Sequence, residues 1–246
     1  TGVEIDANYK VSLNGFNIGS LHYTSAVEGN VYTLTSDVEL SLLLGAIHWK
    51  GVSRTVGTVQ SASLAPTGFN FDFDSTVKSG SVRMGFDKGA VKNVSVEPPN
   101  PPADDIVPVK EQHLKNVLDP LSAIMALTRG AGGNPCQRKV SIFDGKQRFD
   151  LTLAFRRNEP AAAPGQAPGT VCAVKYTPIA GYRANSEVAN MANATGIEIT
   201  FRPATNADLM VPSRVVLPTM AGEAEIVAER VGIRGGGQGQ VAFVAD

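Results

Sequence analysis

The chain has 246 residues, of which 43% are hydrophobic, so a packed core can form and global disorder is excluded. The 22 Lys and Arg residues nearly balance the 23 Asp and Glu residues, and the net charge of -1 disfavours a nucleic-acid-binding surface or a polybasic membrane anchor. No apolar segment reaches the roughly 18 residues that a membrane-spanning helix needs. The chain begins at Thr1 without an apolar signal segment, as an exported protein does after processing, and as a sequence trimmed at its start also would.

Alternating apolar and polar residues in the first hundred positions predict antiparallel strands joined by tight turns. Asn14-Gly15 is the strongest of the turn signals, because a type I′ hairpin turn needs a positive φ at both positions. Further turns are predicted at Glu28-Gly29-Asn30 and Asp87-Lys88-Gly89, and a strand pair is expected between Ile47 and Val59.

A proline-rich connector and a helix separate this region from the rest of the chain. Glu97 to Pro108 contain five prolines, which predicts an extended connector between possible halves 1–96 and 109–246 of one domain spanning 1–246. Asp119 is a good N-cap and Pro120 a good first helical residue. The predicted helix presents one apolar face and ends at Gly130, with a shorter helix expected before it from Val109 to Val117. The face comprises Leu121, Ile124, Met125 and Thr128.

Strand patterns resume after the helix. Asp144-Gly145 predicts a hairpin turn, and the Ala-, Pro- and Gly-rich stretch from Glu159 to Thr170 predicts a mobile loop between two longer strands. Gly235 to Gly239 are expected to form a flexible joint before a last short strand near Val241. The sequence therefore predicts a mainly β fold: a long antiparallel sheet curled into a spiral or open barrel, with the central helix packed against its concave side.

Motifs for catalysis, metal binding or cofactor binding are weak in this sequence. His22, His48 and His113 belong to no metal-binding pattern, and Gly235 to Gly239 do not lead into a helix that could hold a phosphate. Ser75-Thr76-Val77-Lys78 matches Ser-x-x-Lys, but it follows a strand instead of opening a helix, so we interpret it as a polar turn. We therefore predict no catalytic residue, no metal site and no cofactor.

The two cysteines, Cys136 and Cys172, leave two interpretations open. An even, low count fits one structural disulfide, which we favour, and two free buried thiols would give the same count. Cys136 precedes an outgoing strand and Cys172 lies on the returning one, so a bridge between them is geometrically reasonable.

Two apolar stripes on predicted strands also allow two interpretations. Ordinary core packing is the simpler one. The other is the wall of a ligand cavity, because a curled sheet can enclose an apolar molecule when side chains do not fill it. The candidate cavity residues are Phe69, Phe71, Phe73, Phe149, Leu151, Leu153 and Phe155 on strands, with Leu121 and Met125 on the helix.

A set of short motifs is spread over nearly the whole chain. They are Val107-Pro108-Val109, Leu118-Asp119-Pro120-Leu121-Ser122-Ala123, Pro135-Cys136-Gln137-Arg138, Phe143-Asp144-Gly145-Lys146, Val171-Cys172-Ala173-Val174-Lys175-Tyr176, Ile179-Ala180-Gly181-Tyr182 and Val211-Pro212-Ser213-Arg214. Taken together, they resemble a family of uncharacterised exported proteins of Gram-negative bacteria. More distantly, the chain is similar to envelope-integrity β-spiral proteins and lipoprotein-carrier half-barrels. The resemblance implies a periplasmic location, a spiral or open barrel, and correspondence of Cys136 and Cys172 to the family's cysteine pair.

We consider three functions. The first is a non-enzymatic protein of the cell envelope that holds a lipid or acyl chain in the curled sheet. The second is an envelope interaction or scaffold protein with a filled core, which binds another envelope protein or peptidoglycan. The third, an enzyme, would require a cleft that brings His22, His48 or Ser75 to a carboxylate.

Overall fold

The computed structural model describes residues 2–129, 134–184, 186–204, 208–235 and 238–244. Strands account for most of them. The strands are β1 (Glu4–Leu13), β2 (Phe16–Glu28), β3 (Val31–Leu42), β4 (Ile47–Gln60), β5 (Ser63–Ser75), β6 (Ser79–Asp87), β7 (Ala90–Glu97), β8 (Lys139–Phe143), β9 (Arg148–Glu159), β10 (Gly169–Ala180), β11 (Glu198–Pro203), β12 (Met210–Thr219), β13 (Gly222–Gly235) and β14 (Gln238–Val244). The helices are α1 (Pro120–Thr128) and α2 (Ser186–Asn193), with 3-10 turns at Leu43–Gly45 and Glu111–Leu114.

All of these strands belong to one antiparallel sheet, in the order β7-β6-β5-β4-β3-β2-β1-β13-β12-β11-β10-β9-β8, with β14 beside β13. The pairing of β1 with β13 joins the two halves of the sheet. Within the described residues, the sheet is not closed into a barrel. Instead, Lys115 bridges to Ala90 on one edge and Leu118 to Ile142 on the other. The predicted mainly β fold class is confirmed.

The two ends of the sheet differ in what they carry. Because successive strands reverse direction, the turns after β1, β3, β5, β8 and β12 lie at the same end as α2 and the connector that follows β7. We call this the α2 end. The turns after β2, β4, β6 and β9 lie at the opposite end.

Local turn chemistry was predicted well at some positions and not at others. Asn14 and Gly15 have φ of 50° and 81°, so the predicted type I′ turn is confirmed. The strand pair expected between Ile47 and Val59 is wrong: β4 is one continuous strand. Gly51 and Gly57 lie under the rings of Trp49 and Tyr32, where a Cβ would be 2.4 Å from ring atoms, so they serve close packing and not a turn.

Helix α1 begins as predicted. The Asp119 carboxylate accepts hydrogen bonds from the backbone N–H groups of Leu121 and Ser122, at 3.0 and 3.1 Å. The helix ends at Thr128, with Arg129 extended as its C-cap. The predicted C′ residue, Gly130, lies outside the described residues.

The apolar face of α1 is wider than its predicted stripe. Leu121 and Met125 are buried, but so are Ala123 and Leu127 on the other side, while Ile124 is 37% exposed. The helix is buried on two sides because it packs between the halves of the sheet, against β3, β4 and β5 and against β8 and β12. The central helix therefore lies on the concave side, as expected.

A polar network fixes the start of α1 to the first half of the sheet. Thr55 Oγ1 donates to Asp119 Oδ1 at 2.7 Å, and the hydroxyls of Tyr32 and Ser122 are hydrogen-bonded at 2.9 Å. Ser122 Oγ also donates to Asp119 Oδ2. All four side chains are fully buried, and burial raises the pKa of the Asp119 carboxyl above its usual range.

Two helical segments differ from expectation. The helix predicted from Val109 to Val117 is only the 3-10 turn Glu111–Leu114, because the residues after it extend to bridge the two sheet edges. Helix α2 follows β10 and was not predicted. The joint predicted at Gly235 to Gly239 is only partly described, since residues 236 and 237 lie outside the described residues.

Candidate ligand-binding groove

An apolar groove of about 1000 Å³ lies on the concave side of the second half of the sheet, towards the α2 end. Its floor is built by the inward-facing side chains of β9 to β12. Paired strands align these side chains in rows, with Leu151 opposite Tyr176 and Ile199 opposite Val215. The floor residues are Phe149, Leu151, Val174, Tyr176, Ile197, Ile199, Val215 and Leu217.

The proline-rich connector forms one wall of the groove. Val107 N–H donates to the Tyr182 carbonyl at 3.0 Å, and Gly181 N–H donates to the Val107 carbonyl at 2.7 Å. These bonds hold Ile106 against the groove. Gly181 has a φ of 78°, and a Cβ there would lie 1.8 Å from the Lys146 carbonyl oxygen. Only glycine fits this position, so the wall depends on it.

Helix α2 forms the other wall. It packs against β10 and β12, and Val188 and Met191 line the groove at i and i+3. Glu187, one residue before Val188, is exposed and also borders the groove. The helix therefore presents apolar side chains inwards and a carboxylate at the rim.

Polar groups are concentrated at the mouth of the groove. The Asp144 carboxylate accepts from the N–H groups of Lys146 and Gln147, at 2.8 and 2.7 Å, and burial raises the pKa of this carboxyl. The Tyr176 hydroxyl donates to Gln147 Oε1 at 3.1 Å. Arg183 Nε lies 3.5 Å from Asp105 Oδ1 in an ion pair. The groove can therefore accommodate a ligand whose apolar part lies on the floor and whose polar group lies at the mouth.

A second, smaller cavity of about 160 Å³, which we call the small cavity, lies between α1 and the sheet. It is bounded by Ile124 and Leu127 of α1 and by Tyr9 and Tyr23 of β1 and β2. Its lining is almost wholly apolar, and burial raises the pKa of both tyrosines far above the usual range. Ile199 and Val215 line both this cavity and the groove. The two spaces therefore share one wall.

The predicted apolar stripe on β9, from Phe149 to Phe155, is divided between three environments. Phe149 and Leu151 line the groove, and Leu153 is buried beside it in the core. Phe155 lies outside the groove and is 54% exposed. Strand β9 runs past the core at this point, since all residues from Ala154 to Asn158 are exposed.

The predicted apolar stripe on β5, from Phe69 to Phe73, lies in the other half of the sheet, away from the groove. Phe69, Leu121 and Met125 pack together in a closed core cluster. Phe71 and Phe73 stack with ring centroids 5.8 Å apart, and Trp49 lies 6.2 and 6.5 Å from them. These rings cover Gly51 and Gly80, which have no side chains of their own to pack.

Cys136 and Cys172 form a disulfide, so the favoured interpretation of the cysteines is confirmed. Their Cα atoms are 5.2 Å apart, and both side chains are fully buried in the core of the second half. The bond joins the segment before β8 to β10, which carries part of the groove floor.

Of the residues considered for catalysis, His48 and Ser75 line one open surface pocket together with Glu39 and Asp74, whereas His22 lies elsewhere, on β2. His22 Nε2 is 3.2 Å from Asp6 Oδ1 in a cross-strand pair whose side chains are 40% and 64% exposed. Ser75 Oγ donates to the Lys78 carbonyl at 2.8 Å, which makes this segment the polar turn that we predicted. Among the described residues, no group of His, Cys, Asp and Glu could hold a metal ion.

None of the helices in the described part of the chain is long and apolar enough to cross a membrane. Sequence reasoning predicted the connector but not its position along the groove, and it missed α2 altogether. The sequence signal for α2 was the pair Val188 and Met191 at helical spacing, followed by the small residues of 192–196.

Comparison with known proteins gives a family and a fold. A sequence profile described as "Protein of unknown function (DUF3108)" matches residues 8–229. No curated protein matches the chain. The crystal structure of a β-barrel-like protein of domain of unknown function DUF1849 from Brucella abortus is similar, with a TM-score of 0.60 and 12% sequence identity over 95% of this chain and 98% of that one. At this identity, the likeness concerns the fold alone.

Proposed function

Because the chain belongs to the DUF3108 family of proteins of unknown function, we propose its activity from its own geometry: it is a non-enzymatic protein of the cell envelope that binds a lipid or acyl chain in the groove. The observation that carries this proposal is the uneven filling of the concave side. Helix α1 and the Phe69 cluster fill the first half, whereas about 1000 Å³ remain open over the apolar floor of the second. Ligand sites of roughly 300–1,000 Å³ with apolar walls and a few polar groups are typical of small-molecule binding proteins.

The shape of the site supports an elongated apolar ligand. The floor runs across four strands, from Phe149 on β9 to Leu217 on β12, and its polar neighbours lie at one end. A chain-like molecule would bury its hydrocarbon against the floor and leave its polar group near Lys146 and Arg183. Each buried methylene would contribute about 0.8 kcal/mol.

We further propose a periplasmic location. The buried Cys136–Cys172 disulfide supports it, because disulfides persist in oxidising compartments and are rare in the cytosol. The net charge of -1 gives no support to a nucleic-acid partner.

Native mass spectrometry of the protein purified from the periplasm of its host, followed by solvent extraction, tests the proposed function. A stoichiometric lipid or acylated adduct is expected. Leu151→Trp should fill the groove and remove the adduct, whereas Thr152→Trp, one residue along β9 on the outer face, should retain it. Loss of the adduct from both variants, or a wild-type protein without any, would refute binding in this groove.

The second candidate function is an envelope interaction protein, which the closed core of the first half favours. In that case the wild-type mass is that of the chain alone, and crosslinking in the periplasm captures a partner in the absence of any lipid. The same mass spectrum also tests the Cys136–Cys172 disulfide, because the oxidised chain is lighter than the reduced chain by the mass of two hydrogens.

A further inference from the structure

Large apolar side chains are exposed at the α2 end of the sheet. Among the described residues, the five most exposed large hydrophobic side chains have exposures between 67% and 110%, and all five lie in turns at this end. They belong to the turns after β1, β3, β5 and β12. We call them the apolar rim: Phe16, Leu43, Leu44, Val77 and Met220.

The opposite end provides an internal comparison. Its turns after β2, β4 and β6 consist of polar, small or charged residues, including Asn30, Ser61 and Lys88. In contrast, the four turns of the apolar rim, at 13–17, 41–47, 75–78 and 219–222, contain a single charged residue, Lys78, and no Asp or Glu. The rim turns therefore differ in polarity from the hairpin turns at the opposite end of the sheet.

Several polar side chains in the rim turns are hydrogen-bonded within the protein. Asn14 Nδ2 donates to the Ala221 carbonyl at 3.0 Å, which ties the β1–β2 turn to the β12–β13 turn. Thr219 Oγ1 donates to the Gly222 carbonyl at 2.7 Å, and Ser75 Oγ accepts from Lys78 N–H at 3.1 Å. Turns with such internal bonds lose less free energy when they leave water, because fewer polar groups are left without a partner.

Leu43 and Leu44 are the most unusual members of the rim. Their φ values are 51° and 55°, a left-handed conformation that costs a non-glycine residue roughly 1–2 kcal/mol and that Asn or Gly would adopt more readily. Little side-chain packing offsets this cost, since their exposures are 73% and 110%. Residues held in such sparsely populated backbone conformations cluster at functional sites.

The groove opens at this same end. The turn after β8, the segment Gly181 to Arg183 and α2 border its mouth, and all of them lie at the α2 end. We propose that the apolar rim docks on the surface of a lipid bilayer, with its side chains inserted into the interface. This places the mouth of the groove towards the membrane.

A bilayer fits these observations better than a folded partner does. The rim side chains project from four turns, and a fluid interface accommodates such projections without matching pockets. With Lys78 as their one charged residue, these turns offer little electrostatic attraction to an anionic surface, so binding should depend mainly on apolar insertion and should survive high salt.

Flotation of the full-length protein with phosphatidylcholine vesicles, at low and at high salt, tests the proposal. Binding is expected at both. The double variant Leu43→Asn and Leu44→Asn should bind at least tenfold more weakly, since two leucines no longer enter the interface, while Asn accepts the left-handed backbone and preserves the turn. Phe155→Ser is the matched control: it removes an exposed aromatic side chain far from the rim and should leave binding unchanged.

Three outcomes would overturn the proposal. The first is a wild-type protein that does not float with these vesicles, or floats only with anionic ones and is released by salt. The second is an equal loss in the Phe155 control. The third is a concentration-dependent dimer that the double variant abolishes, with no vesicle binding, which would assign the rim to a second copy of the chain. Ligand retention by the double variant in native mass spectrometry separates this test from that of the groove.

Discussion

Replacing Asp119 tests how α1 is held in the concave side of the sheet. Asp119→Ala removes the N-cap of the helix and leaves the Thr55 hydroxyl, which is fully buried, without its acceptor. Ser122 keeps its hydrogen bond to Tyr32. Asp119→Asn is the matched variant, because Asn is an equally good N-cap and can still accept from Thr55.

The magnitude follows from these contacts. Loss of an N-cap costs about 0.5–2 kcal/mol, and a buried hydroxyl left unpaired costs about 1–3 kcal/mol. Asp119→Ala should therefore lower the free energy of unfolding by about 3 kcal/mol. For a chain of this size, that corresponds to a fall in Tm of about 6–12 °C. Asp119→Asn should lower it by less than about 1 kcal/mol at neutral pH.

Urea unfolding followed by circular dichroism measures these differences, and pH supplies a second readout. Burial raises the pKa of Asp119 in the folded protein above the value near 3.9 of an unfolded chain. The contribution of this carboxyl is therefore complete below about pH 4 and is lost as the pH rises through the folded-state pKa. The stability of the wild type relative to Asp119→Asn should fall with rising pH. Equal losses for the Ala and Asn variants, or a difference that grows with pH, would contradict this account of the network.

The remaining predictions concern the disulfide, the groove wall and the small cavity. Replacing both Cys136 and Cys172 by Ala opens a link between positions 36 residues apart and should lower the free energy of unfolding by about 4 kcal/mol in the chain-entropy model, as measured by urea unfolding; an unchanged midpoint would contradict it. Gly181→Ala should release the connector and weaken ligand binding. Gly165→Ala, with a similar φ of 83° but open space around it, should not, and equal titration curves for both would exclude a role for the wall. In a series of fatty acids of increasing length, affinity should rise about fourfold per methylene. If the end of the acyl chain enters the small cavity, Ile124→Phe should end this rise at a shorter chain length. An equal loss of affinity at all chain lengths would exclude entry into the small cavity.

Sequence reasoning was most successful where a local rule decides the structure. The turn at Asn14-Gly15, the N-cap at Asp119 and the strand alternation of the Phe69 stripe all depend on residues within a few positions of one another. The antiparallel fold class followed from the regular recurrence of such signals. The cysteine pair could be proposed from its count, and the fold then placed Cys136 beside Cys172.

Where reasoning failed, packing between distant residues decided the outcome. A strand pair was predicted between Ile47 and Val59, but Gly51 lies inside the continuous strand β4, and its missing side chain makes room for Trp49. The residues after Leu114 extend because both sheet edges offer them hydrogen bonds. The groove was beyond prediction for the same reason: whether Leu151 faces a ligand or a core depends on how much volume α1 and α2 fill, which no periodicity records.

The pairing of β1 with β13 has a consequence for how the chain reaches this structure. Most neighbouring strands follow one another directly in sequence, so each half of the sheet can form from local hairpins. The seam between the halves instead aligns Glu4 with Arg234, and its formation has to close a loop of nearly the whole chain. Such non-local contacts carry the largest entropic penalty and slow folding. Strand β1 must therefore wait with an unpaired edge until β13 has been synthesised, and in that interval the nascent chain depends on protection from aggregation.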